Sequence, residues 1–162
     1  MTDPIDYVAF KTAGWIKRSN PEETDDLERM GPTLSILFNN LLTTGFILLL
    51  GYTTDSLFST AVMLATFAIC RMMLKGCHLK SMTLCTLATS LFVFAVSAIP
   101  ISPLWMIILT PLFILVLFLR SSASVPVKLI FGMMMTLNMI LLYPPLFLGF
   151  AAQCLTLFPQ RR

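Results

Sequence analysis

The stretch PLWMIILTPLFILVLFL, residues 103–119, decides the fold, because it carries no charged side chain over its whole length. An α-helix needs about 20 mostly apolar residues to cross a bilayer. Similar stretches lie on both sides of it, and they lack the alternating pattern of barrel strands, so we predict membrane helices. The predicted apolar segments lie near residues 34–51, 56–70, 82–99, 103–119, 127–142 and 145–158.

The composition agrees with this interpretation. The chain is 57% hydrophobic and 12% charged, with a mean hydropathy of +0.85, whereas soluble domains are about 25% charged. We therefore predict an all-α fold, a polytopic membrane helical bundle with six apolar segments. Three segments are short, so four spans plus two re-entrant segments remain an alternative. The last two segments are separate helices or one helix bent at Tyr143-Pro144-Pro145, and the paired prolines favour a turn.

The first 33 residues form a different kind of segment, because seven of the eight acidic residues lie between Asp3 and Glu28. Asp3 and Pro4 are a typical N-cap and first helical residue. The apolar residues that follow recur at helical spacing, which predicts an amphipathic helix on the membrane surface. They are Ile5, Val8, Ala9, Ala13 and Ile16.

The rest of the leader predicts where the membrane domain begins. Asn20-Pro21-Glu22-Glu23 resembles a second helix start, and Gly31-Pro32 predicts a break before the first apolar run. The domains are then an interfacial leader, 1–33, and one integral membrane domain, 34–162. The charged start does not resemble a cleavable signal peptide.

The basic residues predict the orientation. All eleven lie in the leader, in the loops near 71–81 and 120–128, or at the C-terminus, and the three alternate loops have none. Short cytoplasmic loops carry the excess of Lys and Arg. We therefore expect both termini and the 71–81 loop to be cytoplasmic.

The 71–81 loop and the start of the next segment gather the reactive side chains. The only histidine, His78, precedes Cys85 by seven residues. On a straight helix this spacing separates the side chains by about 10 Å, which is too far for proton transfer. A bend at Gly76 or Ser81, with Ser81 as N-cap, would allow His78 to deprotonate Cys85, and a helix N-terminus favours thiolate. An interfacial histidine beside an inert cysteine is the alternative.

The other cysteines suggest no separate chemistry. Cys70 and Cys154 fit small apolar residues in buried helices. A metal site formed by Cys70, Cys77, His78 and Cys85 lacks the spacing of a zinc knuckle or finger. We expect no metal, no cofactor and no nucleic-acid partner.

The pattern Arg71-x4-Gly76-x-His78-x6-Cys85 resembles the active-site stretch of the accessory gene regulator protein B family. The leader IDYVAFKTAGWIKRSN, the following LERMG and the ending AAQCLTLFP resemble the same family. The resemblance implies a membrane cysteine endopeptidase of Gram-positive bacteria, with His78 as base and Cys85 as nucleophile.

The resemblance also implies a substrate. It is a small propeptide with an acidic C-terminal tail, which is removed through an acyl-enzyme thioester that can resolve into a cyclic quorum-sensing signal. Arg71, Lys75 and Lys80, with Gly76 shaping the loop, would form a cationic rim for the tail. The same residues could serve only as positive-inside anchors. The alternative function is a non-catalytic scaffold or small-solute carrier in the bilayer, and a homodimer is one oligomeric state that the sequence allows.

Overall fold

The computed structural model describes residues 3–74 and 81–157. These residues form seven helices and no strand, which confirms the predicted all-α fold. The helices are α1 (Pro4–Ser19), α2 (Leu27–Thr53), α3 (Leu57–Leu74), α4 (Met82–Ser97), α5 (Pro103–Arg120), α6 (Val125–Leu141) and α7 (Pro144–Thr156). The six apolar segments correspond to α2–α7, and the amphipathic leader helix is α1.

Helix α1 begins as predicted. The Asp3 side chain accepts a hydrogen bond from the Ile5 amide at 3.0 Å, and Pro4 occupies the first turn. The buried face is narrower than predicted: Ile5, Ala9 and Ala13 are buried, whereas Val8 is 51% exposed. Small residues at two of these three positions let the helix lie close to its neighbours.

Two expectations about the leader were wrong. Residues 21–24 form a turn instead of a helix start, closed by the Lys17 ammonium, which donates to the carbonyls of Pro21 and Thr24. The predicted break at Gly31-Pro32 is also absent, because α2 runs through both residues.

The physical reason for the unbroken helix lies at its start. Pro32 is the sixth residue of α2, so its missing N–H removes one backbone bond, near the end where several amides lack helical partners anyway. Gly31 allows α1 to pack closely against α2, because a Cβ there would overlap the Phe10 ring of α1. Helix α2 therefore crosses the predicted domain boundary at residue 33, and the placement of that boundary relative to a bilayer stays a prediction.

The described chain forms two compact units. The first contains residues 3–46 and 81–91, and the second contains residues 47–74 and 92–157. In the first unit, α1 packs with the N-terminal parts of α2 and α4.

The second unit is built on close contact between α3 and α7. A Cβ on Gly149 would lie 2.9 Å from the Met63 carbonyl oxygen, so glycine permits this approach. The unit contains two apolar clusters. The first includes Met63, Phe67, Met106 and Phe147. The second includes Cys70, Leu117, Phe131 and Phe150.

The end of α6 settles whether the last two segments are one bent helix. Leu142 adopts a left-handed conformation with φ 51°, and Tyr143 is extended. Such a residue interrupts a right-handed helix, so α6 and α7 are separate, as the paired prolines predicted.

Three of the described helices, α2, α3 and α5, are long and apolar enough to cross a membrane, and α4 and α6 are shorter apolar helices. Large apolar side chains stand exposed on their surfaces, such as Met133 and Ile140 on α6. An exposed apolar surface of this extent suits lipid rather than water. The choice between six spans and four spans with two re-entrant segments stays open.

Candidate active site

Helix α4 carries the predicted nucleophile in its second turn, and Ser81 caps it. The Leu84 amide donates to Ser81 Oγ at 3.2 Å, and the Cys85 amide donates to the Ser81 carbonyl at 3.0 Å. The first bond satisfies an amide that a helix start leaves without a partner, and the second is the first regular bond of the helix. The predicted N-cap role of Ser81 is therefore confirmed.

A second cap comes from the leader. The Thr83 amide donates to the Asp3 carboxylate at 3.1 Å, the Thr83 hydroxyl donates to it at 2.7 Å, and the Ser81 hydroxyl donates to Oδ2. Asp3 therefore caps α1 and α4 simultaneously. Desolvation raises the pKa of Asp3, but the hydrogen bonds from Ser81, Thr83 and Ile5 outweigh it and hold that pKa well below its ordinary value.

Cys85 is a buried residue of the first unit. Its side chain is 4% exposed, and its sulfur lies 4.0 Å from Thr89 Oγ1 one turn later on α4. The next residue, Thr86, is also buried, and its hydroxyl donates to Asn39 Oδ1 of α2 at 2.7 Å. The predicted nucleophile thus lies on a helix that polar contacts fix to two other helices.

Polar residues of α2 provide these contacts at regular spacing. Ser35, Asn39 and Thr43 recur every four residues and are all buried. Ser35 donates to the Asp6 carboxylate of α1 at 2.6 Å, and Asn39 accepts from Thr86. Sequence reasoning missed this stripe, although polar residues four apart in an apolar run were a visible signal.

An apolar groove of about 610 Å³ lies between the same three helices of the first unit. Thr83 and Thr86 of α4 are on its wall, so it runs beside the helix that carries Cys85. The other lining residues are Pro4, Ile5, Val8, Phe38, Leu41, Leu42, Phe46 and Leu87. Such a lining suits an apolar chain, whether lipid or peptide.

Most of the other predicted site residues lie outside the described residues. These are Lys75, Gly76, His78 and Lys80, together with Cys77. The pairing of His78 with Cys85 and the expected absence of a metal site both stay predictions.

Arg71 belongs to the second unit, near the end of α3. Its guanidinium lies 5.7 Å from the centre of the Phe67 ring, within range of a cation–π interaction. Cys70 and Cys154 are buried in the second unit, and the Cys154 thiol donates to the Phe113 carbonyl at 3.6 Å. These positions fit the prediction that both cysteines are structural.

Comparison with known proteins identifies the family. The sequence profile described as Accessory gene regulator B matches residues 9–145, which is most of the chain. The chain belongs to the accessory gene regulator B family. No curated protein and no solved structure matches it.

Membership in the accessory gene regulator B family indicates a role in accessory gene regulator quorum sensing, where members generally act as cysteine endopeptidases. The matched region includes the whole of α4 and the stretch that holds His78 and Cys85. The family and the apolar helices together identify a membrane protein.

Proposed function

We propose that this protein is a membrane-embedded cysteine endopeptidase that removes the acidic C-terminal tail of a small propeptide and supports cyclisation of the remainder. The single observation that carries the proposal is the position of Cys85. It lies in the second turn of a doubly capped helix, seven residues after the only histidine, within the matched family region.

The proposed reaction has two steps. His78 takes the proton of Cys85, and the thiolate attacks the peptide carbonyl before the tail. The C–N bond breaks, the tail leaves as an amine that receives the proton from His78, and a thioester to Cys85 remains. A thiol or hydroxyl inside the peptide then attacks the thioester and releases Cys85, which closes a thiolactone or lactone ring.

Burial of the thiol supports the second step. At 4% exposure, Cys85 is almost closed to bulk water. Because hydrolysis of the thioester would compete with ring closure, the exclusion of water favours the cyclic product. The apolar groove beside α4 suits an amphipathic leader of the propeptide.

The family resemblance implies a location in the plasma membrane of a Gram-positive bacterium. The charge distribution supports the orientation, with both termini and the active site at the cytoplasmic face. The acidic tail is attracted by Lys75, Lys80 and Arg71. All basic residues lie in the termini and in alternate loops, which supports the placement of these three on one side of the membrane.

The test is cleavage of the cognate propeptide by purified protein in liposomes. Cys85→Ser and His78→Ala should each abolish tail release, and the double variant should be no worse, because residues of one catalytic unit are non-additive. Cys154→Ser is the matched control, since a serine hydroxyl can still donate to the Phe113 carbonyl. Normal processing by Cys85→Ser would rule out Cys85 as the nucleophile, and no tail release by the unmodified protein would favour the scaffold or carrier alternative.

A further inference from the structure

We propose that Asp3 is a positioning residue for Cys85, because its carboxylate ties the start of α1 to the start of α4. The proposal deepens the proposed function: its catalytic part depends on Cys85 being the nucleophile, whereas its structural part does not.

The geometry joins the two helix starts through one side chain. Asp3 accepts from the Ile5 amide of α1, and it accepts from the Thr83 amide, the Thr83 hydroxyl and the Ser81 hydroxyl at the start of α4. These groups are 78 to 80 residues apart along the chain. Together with the Leu84 and Cys85 amides bonded to Ser81, this arrangement satisfies the Thr83, Leu84 and Cys85 amides of α4.

The position of Cys85 depends on this turn. Cys85 comes two residues after Thr83, and its own amide bonds to the Ser81 carbonyl. If Asp3 releases Ser81 and Thr83, their donors lose a charged acceptor, and the turn that fixes the Cys85 backbone frays. Charge-assisted hydrogen bonds are the stronger ones, so the loss is larger than that of an ordinary cap.

Asp3 also changes the electrostatics that the sequence predicted. The N-terminus of α4 carries partial positive charge. The Asp3 carboxylate lies at that end and offsets part of this charge. Asp3 therefore supports catalysis by positioning Cys85, and the proposed base, His78, activates the thiol.

The chain offers variants that separate the two roles of Asp3. Asparagine caps helices about as well as aspartate, so Asp3→Asn keeps the cap of α1. It places an amide NH2, a donor, at the position of Oδ2, where the Ser81 hydroxyl and the Thr83 amide need an acceptor. Asp25→Asn is the matched control, because it removes the same leader charge from an exposed ion pair with Arg29 that contributes little.

Thr83→Val is the partner variant. It removes the hydroxyl that donates to Asp3 at 2.7 Å and keeps the backbone amide and side-chain shape. If the two residues act through their contact, Thr83→Val should have no further effect when it is combined with Asp3→Ala, which removes both carboxylate oxygens.

The first readout is alkylation of Cys85 with iodoacetamide in the full-length protein in liposomes, with each cysteine followed by mass spectrometry. The rate is compared at alkaline pH, where the thiols are ionised and the lost charge no longer changes the thiolate fraction. There Asp3→Asn should raise the Cys85 rate roughly tenfold, as expected for losing a charged hydrogen bond. The rate at Cys70 and Cys154, buried in the second unit, should not change. Asp25→Asn should leave all three rates unchanged.

The second readout is tail cleavage. Asp3→Asn should lower kcat roughly tenfold or more with KM little changed, because misplacing a nucleophile affects the chemical step. Asp3→Glu, which restores the carboxylate, should recover part of the loss.

The outcomes separate the two claims. An unchanged Cys85 alkylation rate in Asp3→Asn would overturn the positional role, and so would equal increases at Cys70 and Cys154, which indicate general unfolding. A raised alkylation rate with no loss of cleavage would overturn the catalytic part of the proposal. Activity retained by Cys85→Ser would instead overturn the proposed function, and the structural role of Asp3 at the start of α4 would be unaffected.

Discussion

Gly149→Ala should destabilise the second unit by a predictable amount. The new Cβ would lie 2.9 Å from the Met63 carbonyl oxygen and 2.7 Å from Thr66 Cβ. Ordinary contacts begin at 3.4 Å, so α7 and α3 have to separate by about 0.5–0.7 Å, and a gap of that size forfeits roughly a quarter to a half of each contact's energy. A backbone oxygen cannot rotate away, so the cost should reach the 1–3 kcal/mol typical of overpacking, about 2 kcal/mol.

Gly132→Ala isolates this packing cost from helix propensity. Its Cβ would lie 3.7 Å from the Phe118 ring, an ordinary contact. Both variants gain the advantage of alanine over glycine in a helix, about 1 kcal/mol. The difference in unfolding free energy between them should therefore be about 1–3 kcal/mol.

The assay is SDS-induced unfolding in dodecyl maltoside micelles, followed by circular dichroism. Gly149→Ala should unfold at a lower SDS fraction than the unmodified protein, and Gly132→Ala at an equal or higher fraction. Equal stability of the two variants would refute the close contact between α3 and α7.

Three further predictions concern orientation, substrate charge and pH. Single cysteines at the exposed positions Thr54 and Ser122 should be labelled from opposite sides of the membrane; labelling of both from outside would contradict the charge-based topology. Charge reversal at Lys75 and Lys80 should slow processing more at low than at high salt. Cleavage that does not depend on salt would indicate that the two lysines act only as positive-inside anchors. Because the pKa of Asp3 is depressed, its contribution is present above the unfolded value of about 3.9 and is lost only as pH falls through the folded value. Amide exchange protection at the start of α4, corrected for intrinsic rates, should thus be the same at pH 5.5 and 7.5. An acid-induced drop in that interval would show that Asp3 is not the group that holds the start of α4.

The sequence predicted the helices well, because apolar length and cap chemistry are local. Asp3 and Pro4 start α1, and the apolar segments are helices in the structure. The break predicted at Gly31-Pro32 failed for two reasons. The first is local, because Pro32 lies near the start of α2 and removes one helical bond there. The second is non-local. Gly31 accommodates the Phe10 ring of another helix, and residues 31 and 32 alone do not show which helix packs there.

The candidate site was predictable in part. Cys85 and its cap Ser81 follow from a motif and a local rule, and the structure confirms the cap. The contact of Asp3 with Thr83 joins residues 80 apart, and no local pattern predicts which carboxylate reaches which helix. Similarly, Asn39 was visible as a polar residue in an apolar run, but its partner Thr86 depends on how α2 and α4 pack.

The most direct test of the central claim is to find the acyl group on the enzyme. Protein in liposomes is mixed with a propeptide in which the internal thiol or hydroxyl is replaced by alanine, so that ring closure is blocked, then quenched in acid and digested for mass spectrometry. The account predicts a hydroxylamine-sensitive adduct of the tail-less peptide on Cys85 and on no other cysteine, absent in Cys85→Ser and His78→Ala. Release of the tail without any adduct on Cys85, or with the adduct on Cys70, Cys77 or Cys154, would contradict it.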